Sequence, residues 1–315
     1  MTAQASPGKV RAVTRPGDRI FSGSAFTAGA LILAVLAAVA GFLILQSIPA
    51  VTTPSDQIQI LDGESLWDYA APLVFGTLWA ALLALIIAIP LALGIALFIS
   101  HYAPRRLAAV LGYIVDLLAA VPSVVFGLWG ANVLAGMIQP SFVWLGDNLS
   151  WIPFFAGPAS GTGRTILTAG IVLAVMVLPI ITAICREVFL QTPVLHEEAA
   201  LALGATRWEM IRIAVLPFAR AGIVSAAMLG LGRALGETMA VAMVLSASGV
   251  ITLNLISSTN PSTIAANIAL SFPEAFGANV NVLVATGLML FGITLAVNAV
   301  ARIIVNRRKA FSGAN

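Results

Sequence analysis

Charge is scarce in this 315-residue chain, and so are the residues that most often carry chemistry. Only 9% of it is Asp, Glu, Lys or Arg, against about 25% for an average soluble domain, which excludes an ordinary water-soluble globule. There is one cysteine, Cys185, so no disulfide can form within the chain, and the redox compartment cannot be read from it. The lysines are Lys9, followed by Val10, and Lys309, preceded by Arg308. A phosphate-cradling loop needs Gly-Lys-Ser/Thr, so the chain cannot hold ATP by that device. His101 and His196 read as isolated, which leaves a metal centre or a catalytic triad without partners. Gly230, Gly232 and Gly236 do not space as a dinucleotide fingerprint; small residues four apart signal close helix packing instead. No Ser/His set, paired Asp or His-rich group lies in the apolar runs, which argues against an intramembrane enzyme.

What is plentiful is apolar. Hydrophobic residues make up 60% of the chain and the mean hydropathy is +1.01, so the fold class is all-α and polytopic, with spans of roughly 20 apolar residues. Six are expected, at 25–48, 72–99, 122–138, 166–185, 217–248 and 280–305. Residues 1–24 form a basic tail with Lys9, Arg11, Arg15 and Arg19, disordered apart from attraction to anionic lipid. Ala38-Val39-Ala40 could pass for a signal-peptidase site, but the run continues to Ile48. That is too long for a signal core of about 7–15 residues, so the first span is retained.

Between the spans the loops have distinct characters. The stretch 49–71 carries Asp56, Asp62, Glu64 and Asp68. Pro90 inside the second span predicts a kink. A half-polar helix containing Asp116 precedes a break at Pro122-Ser123, and Trp144 and Trp151 sit in the following loop, where an interfacial belt would hold them. The piece TIAANIALSF, 263–272, is too short to cross and reads as a surface or re-entrant helix, or as a contact for an external protein.

Fourteen of the sixteen basic residues fall on one side of this arrangement, leaving Arg164 outside and Arg233 buried. By the positive-inside rule both termini, the tail 306–315 and the polar segment 192–216 are cytoplasmic. Because the basic residues sit at span ends and form no patch, the partner they imply is membrane lipid and not nucleic acid.

The polar segment HEEAALALGATRWEMIR reads as two short helices with a corner. Thr192 is placed to cap the first, with Pro193 in its first turn; Gly204 supplies a left-handed stop, and Thr206 with Glu209 forms a capping box that starts the second. It leads directly into an apolar run whose internal charges are Arg233 and Glu237, four apart on one helical face and able to neutralise each other. A lone charge at mid-bilayer costs about 2.5–3.5 kcal/mol on insertion scales, so the pair calls for a reason. Either Arg233 lines a path and offers an anion the charge that water offered outside, with Glu237 holding or releasing it, or the pair only locks one span against a neighbour. Asp116 faces an interface or a partner helix. The free amides after Pro122, from Ser123 on, could also face an anion.

The segment resembles the cytoplasmic "EAA" motif of ABC importer permeases: Glu198-Ala199-Ala200, three residues, Gly204, nine residues, then Ala214-Val215-Leu216-Pro217, with Ala214 where that pattern prefers Ile. LGLGRALGETMAVAMVL, 229–245, and LLAAVPSVVFGLWG, 117–130, are similar to the permeases of phosphate importers, PstC type more than the sister PstA type. The resemblance runs from the second span to the C-terminus. It implies the type I ABC importer (MetI-like) fold, a place in a bacterial cell membrane and import of inorganic phosphate. It also implies partners: a homologous PstA-like permease, two PstB-like ATPase subunits carrying ATP and Mg, and an extracytoplasmic PstS-like phosphate-binding protein. Glu197, Glu198, Ala199, Ala200, Gly204, Thr206 and Arg207 would couple to the ATPase. Arg233, Glu237 and, more weakly, Ser123 would line the path, and no cofactor, metal or catalytic residue would belong to this chain. The alternatives are the PstA-type subunit, a permease for sulfate or molybdate, and a secondary transporter, which usually shows inverted repeats and more polar residues at mid-membrane.

Overall fold

The computed structural model describes residues 16–309. The expected tail through Arg15, with Lys9 and Arg11, lies outside the described residues, as do the last six. Residues 16–24, Arg19 among them, are helical and continue the first span, α1, Pro16–Thr52. There follow α2, Leu66–Tyr102, α3, Arg105–Ala119, α4, Ser123–Asn148, α5, Ile166–Leu190, α6, Val194–Ala202, α7, Arg207–Leu235, α8, Met239–Val244, α9, Ile264–Ser271, and α10, Ala278–Lys309. Five of these are long and apolar enough to cross a membrane, and a sixth span results if α3 and α4, bent by 90° at their junction, count as one. Among the described residues there is no strand, only a bridge between Ala247 and Asn260.

Helices α2 and α5 form the heart of the bundle. Ala80, Ala84, Ala88, Ala92 and Ala96, every fourth residue of α2, are fully buried. Repeating a small side chain at that interval keeps one helical face flat, so a neighbouring backbone can approach closely, which is how helices adhere where lipid removes the hydrophobic drive. On α5, a β-carbon added to Gly170 would stand 3.0 Å from that of Leu83, a measure of how near the two helices pass. Ile166, Val172, Leu173, Met176, Val177 and Ile181 line the buried face of α5. Pro90 lies within α2, which remains helical on both sides of it.

Helix α1 stands apart from this core. Its end, Ala50, and the turns that follow, Ile58 and Leu61, form a smaller cluster with Val282 and Ala285 of α10, and most of the apolar length of α1 is exposed. In a bilayer that surface meets lipid tails of the same polarity, at no cost.

Several boundaries differ from the sequence reading. The third span, expected at 122–138, continues to Asn148, so Trp144 is on a helix and only Trp151 is in the loop. The piece 263–272, expected as a surface or re-entrant helix, is buried at its start and exposed towards its end: Ile264, Ala265 and Ala266 are buried, Leu270 and Phe272 are exposed, and the Ile264 amide donates to Thr77 Oγ1 on α2 at 2.9 Å. The strand-like approach to it, through Ser262, crosses α2 where Gly76 has no side chain; an added β-carbon there would be 2.2 Å from Ser262 O. Such a buried irregular loop needs internal partners for its backbone. Two asparagines supply many of them. Asn260 accepts from the Ile166 amide at 3.1 Å and donates to Ser257 O at 2.9 Å, and Asn254 accepts from the amides of Ile256 and Ser257 while donating to Ala156 O.

Candidate functional site

Two places carry the candidate residues, one at the polar turn between α6 and α7 and the other at the far end of α7, beside its break with α8. At the turn, Gly204 has φ +86°, a conformation that suits a residue without a β-carbon. The Gly204 amide donates to Leu201 O at 3.0 Å and the Ala205 amide to Ala200 O at 3.2 Å, the paired bonds of a Schellman stop. The next residue but one begins α7: Thr206 Oγ1 accepts from the Glu209 amide at 3.3 Å and Glu209 Oε2 accepts from the Thr206 amide at 2.8 Å, a complete capping box. These bonds from Thr206 hold the Glu209 carboxyl below its ordinary range, in the polar turns ahead of the apolar stretch. One expected cap fails: Pro193 occupies the N-cap of α6, and the Thr192 hydroxyl is buried without a hydrogen-bond partner among the described residues. A proline there already fixes the backbone entering the helix, so the corner forms without a side-chain cap.

The turn has an inner and an outer face. Ala200 is buried and Glu197 half-buried, whereas Glu198, Ala199, Gly204, Thr206 and Arg207 are exposed. His101, expected to be isolated, is not: its Nε2 lies 3.5 Å from Glu197 Oε1 and its Nδ1 is 2.7 Å from Ser100 Oγ. Glu197 therefore ties the turn to the end of α2 and faces the bundle, leaving Glu198 to the outside. Asp116 meets Arg186 at 3.5 Å, an ion pair between α3 and the end of α5, laid across Gly112, where a β-carbon would strike the guanidinium. Sequence reasoning missed the apolar half of the outer face, Leu195 (75% exposed), Leu203 (89% exposed) and Trp208. The available signal was large hydrophobes, Leu195, Leu203 and Trp208 among them, close to the charged residues of the segment.

Helix α7 connects the two places without interruption. From Arg207 it passes through a π-turn at Ile211–Val215, which absorbs the backbone bond that Pro217 cannot make, and runs on to Leu235. There the expected span 217–248 breaks. The Gly236 amide closes α7 on Gly232 O at 3.3 Å, and α8 starts afresh at Met239. The break separates the charged pair. Glu237, 8% exposed, accepts from the Ala240 amide at 3.1 Å and so caps α8. No Arg233–Glu237 ion pair exists among the described residues, because residues four apart face each other only on an unbroken helix.

Among the described residues Arg233 is thus left without an ion-pair partner. Its Nε is buried with no hydrogen-bond partner among the described residues. It lines a cavity of about 480 Å³ with Ile180, Ser225, Met228, Leu229, Gly232 and Asn298, a size suited to a small ligand. Among the described residues no carboxylate lines this space. An arginine held this way can offer its fork of N–H groups to an anion. Ser123, at the start of α4, is not among the lining residues. Neither Ser225 nor Asn298 was singled out by the sequence reading, since a lone Ser or Asn in an apolar run carries little signal.

The sequence from 88 to 310 matches the family described as binding-protein-dependent transport system inner membrane component. The phosphate transport system permease protein PstC 2 of Mycobacterium tuberculosis is 45% identical over 302 residues, covering 92% of each chain. The PstC permease of Mycobacterium leprae is 44% identical over 308 residues, 94% of this chain and 95% of that one. In structure, a bacterial ABC transporter involved in the import of the acidic polysaccharide alginate superposes with a TM-score of 0.59 at 18% identity, over 92% of this chain and 96% of that chain.

Proposed function

Because this chain belongs to the family of binding-protein-dependent transport system inner membrane components, and within it to the PstC phosphate permeases, we propose that it is the membrane subunit through which an ATP-driven importer passes inorganic phosphate into the cell. It pairs with a homologous PstA-like permease, takes its drive from two ATPase subunits that hold ATP and Mg, and receives phosphate from an extracytoplasmic binding protein. The chain itself hydrolyses nothing. Both termini and the α6–α7 turn are cytoplasmic, as the asymmetry of basic residues indicates.

The observation that carries this reading is the continuity of α7 between an exposed corner and an unpaired arginine in a cleft. The outer face at Leu195, Leu203 and Trp208, with Glu198 and Arg207 beside it, offers the ATPase an apolar centre and a charged rim. When the ATPase subunits close on ATP they pull this corner. A helix is stiff along its axis, so α7 moves as a rod against α10 and changes access to Arg233. Arg233 replaces part of the water shed by phosphate entering the bundle. Glu237 acts indirectly, by fixing the start of α8 beside the break.

The substrate is tested by uptake competition in cells that carry this chain with its partner subunits. Unlabelled phosphate should suppress uptake of labelled phosphate, while sulfate and molybdate at the same concentration leave it unchanged. Suppression by sulfate or molybdate would instead make this a permease for another oxyanion.

A further inference from the structure

We propose a second oxyanion subsite, made by Ser225 and Asn298, that takes phosphate on from Arg233 and leads it towards Arg302; this rests on the reading of Arg233 as a path residue. A further cavity of about 640 Å³ adjoins the one at Arg233. The two share Ser225, Met228 and Asn298, so α7 and α10 bound one continuous cleft with Arg233 towards one end and Arg302 towards the other. Among the described residues no carboxylate lines either part.

The positions are ordered along the helices. Ser225 precedes Arg233 by eight residues on α7, about 12 Å nearer the polar corner, and Arg302 follows Asn298 by four residues on α10, which runs back towards that same end, a further ~6 Å. An anion therefore meets a cation, then neutral polar groups, then a second cation. Such spacing suits passage, since several moderate sites let an ion enter and leave where one deep site would trap it.

The neutral groups have the right chemistry. Asn298 is exposed and lines both parts of the cleft, and among the described residues no hydrogen bond occupies its side chain, which leaves two N–H donors and a carbonyl to offer. Ser225 Oγ donates to Ala221 O at 2.9 Å, which leaves its lone pairs outward as acceptors. Donors from Asn298 fit the bare oxygens of a tetrahedral oxyanion, and an acceptor at Ser225 fits one that still carries a proton, as phosphate does near neutral pH. Met228 and Leu295 supply apolar surface beside these groups.

The test uses the complete transporter in proteoliposomes with its binding protein. Asn298→Asp keeps the shape and sets a carboxylate where the anion passes. Phosphate transported per ATP hydrolysed should fall roughly tenfold or more. Unchanged transport in Asn298→Asp alongside lost transport in Arg233→Gln would overturn the inner subsite and leave the Arg233 reading standing. Unchanged transport in Arg233→Gln would remove that reading itself. If Asn298→Asp fails to assemble, Asn298→Cys decides: phosphate should slow its labelling by an anionic methanethiosulfonate reagent, and labelling indifferent to phosphate would overturn the subsite. The native Cys185 is buried and does not compete for the reagent.

Discussion

Phosphate uptake by an Arg233→Gln variant is expected to fall roughly 30- to 150-fold with normal amounts of the complex in the membrane. What the guanidinium offers an anion sets the size of this loss. A hydrogen bond to a charged group contributes about 1.5–3 kcal/mol where water is excluded, and a loss of 2–3 kcal/mol at the rate-limiting barrier is a factor of that size. Glutamine keeps polarity but loses the charge. Arg233→Lys keeps the charge without the planar fork and should fall between the two. The comparison with Glu237→Gln is informative, because Glu237 caps α8 and makes no ion pair with Arg233. If the two were a mutual lock, removing either would be equally harmful, since each would strand a buried charge. The geometry instead predicts a much smaller loss for Glu237→Gln, about the 0.5–2 kcal/mol of a helix cap. Initial rates of labelled phosphate uptake, normalised to immunoblotted membrane protein, measure all three.

Gly163→Ala is expected to cost the fold about 2–5 kcal/mol. Gly163 has φ +70°, and its missing β-carbon would stand 2.0 Å from Ala135 O, a backbone atom that cannot turn aside. The left-handed conformation costs an alanine about 1–2 kcal/mol, and forcing an atom into a filled site about 1–3 kcal/mol more. The site cannot relax easily, because Thr168 Oγ1 donates to Gly163 O at 2.6 Å and anchors the loop to the start of α5. Gly161, two residues earlier, has nothing within 4 Å and no positive φ, so Gly161→Ala should stay within about 0.5 kcal/mol. Detergent-extracted protein run on a sizing column and melted in parallel separates the two. Equal melting temperatures would show that the close approach at Ala135 is absent.

How much of this could be seen in the sequence depends on the range of the interaction. Gly204, Thr206 and Glu209 were legible because a left-handed stop and a capping box are local bargains among residues within a few positions of one another. The apolar spans were legible because a bilayer demands some 20 such residues in a row. The break after Leu235 was not. In LGLGRALGETMAV, Gly236 looks like one more packing glycine, and only the Glu237 carboxylate turning to the Ala240 amide shows that one helix ends and another begins there. The neutralised pair expected from the spacing of Arg233 and Glu237 disappears with that continuity. The His101–Glu197 contact joins positions far apart in the chain, and neither residue by itself announces the other. The burial of Ile264 to Ala266 was hidden for a similar reason, as it depends on Gly76 leaving room and Thr77 offering a hydroxyl on a helix nearly two hundred residues away.

The account stands on α7 acting as one rod from its corner to the cleft. Spin labels on the assembled transporter at Trp208→Cys with Leu229→Cys, both exposed on α7, and at Leu229→Cys with Leu295→Cys, facing across from α10, measure this by paramagnetic distance. Between the ATP-free and ATP-bound states the first distance, about 32 Å for 21 residues of helix, should stay constant while the second changes. A first distance that shortens, with the π-turn at Ile211–Val215 folding under load, and a second that does not move would contradict it.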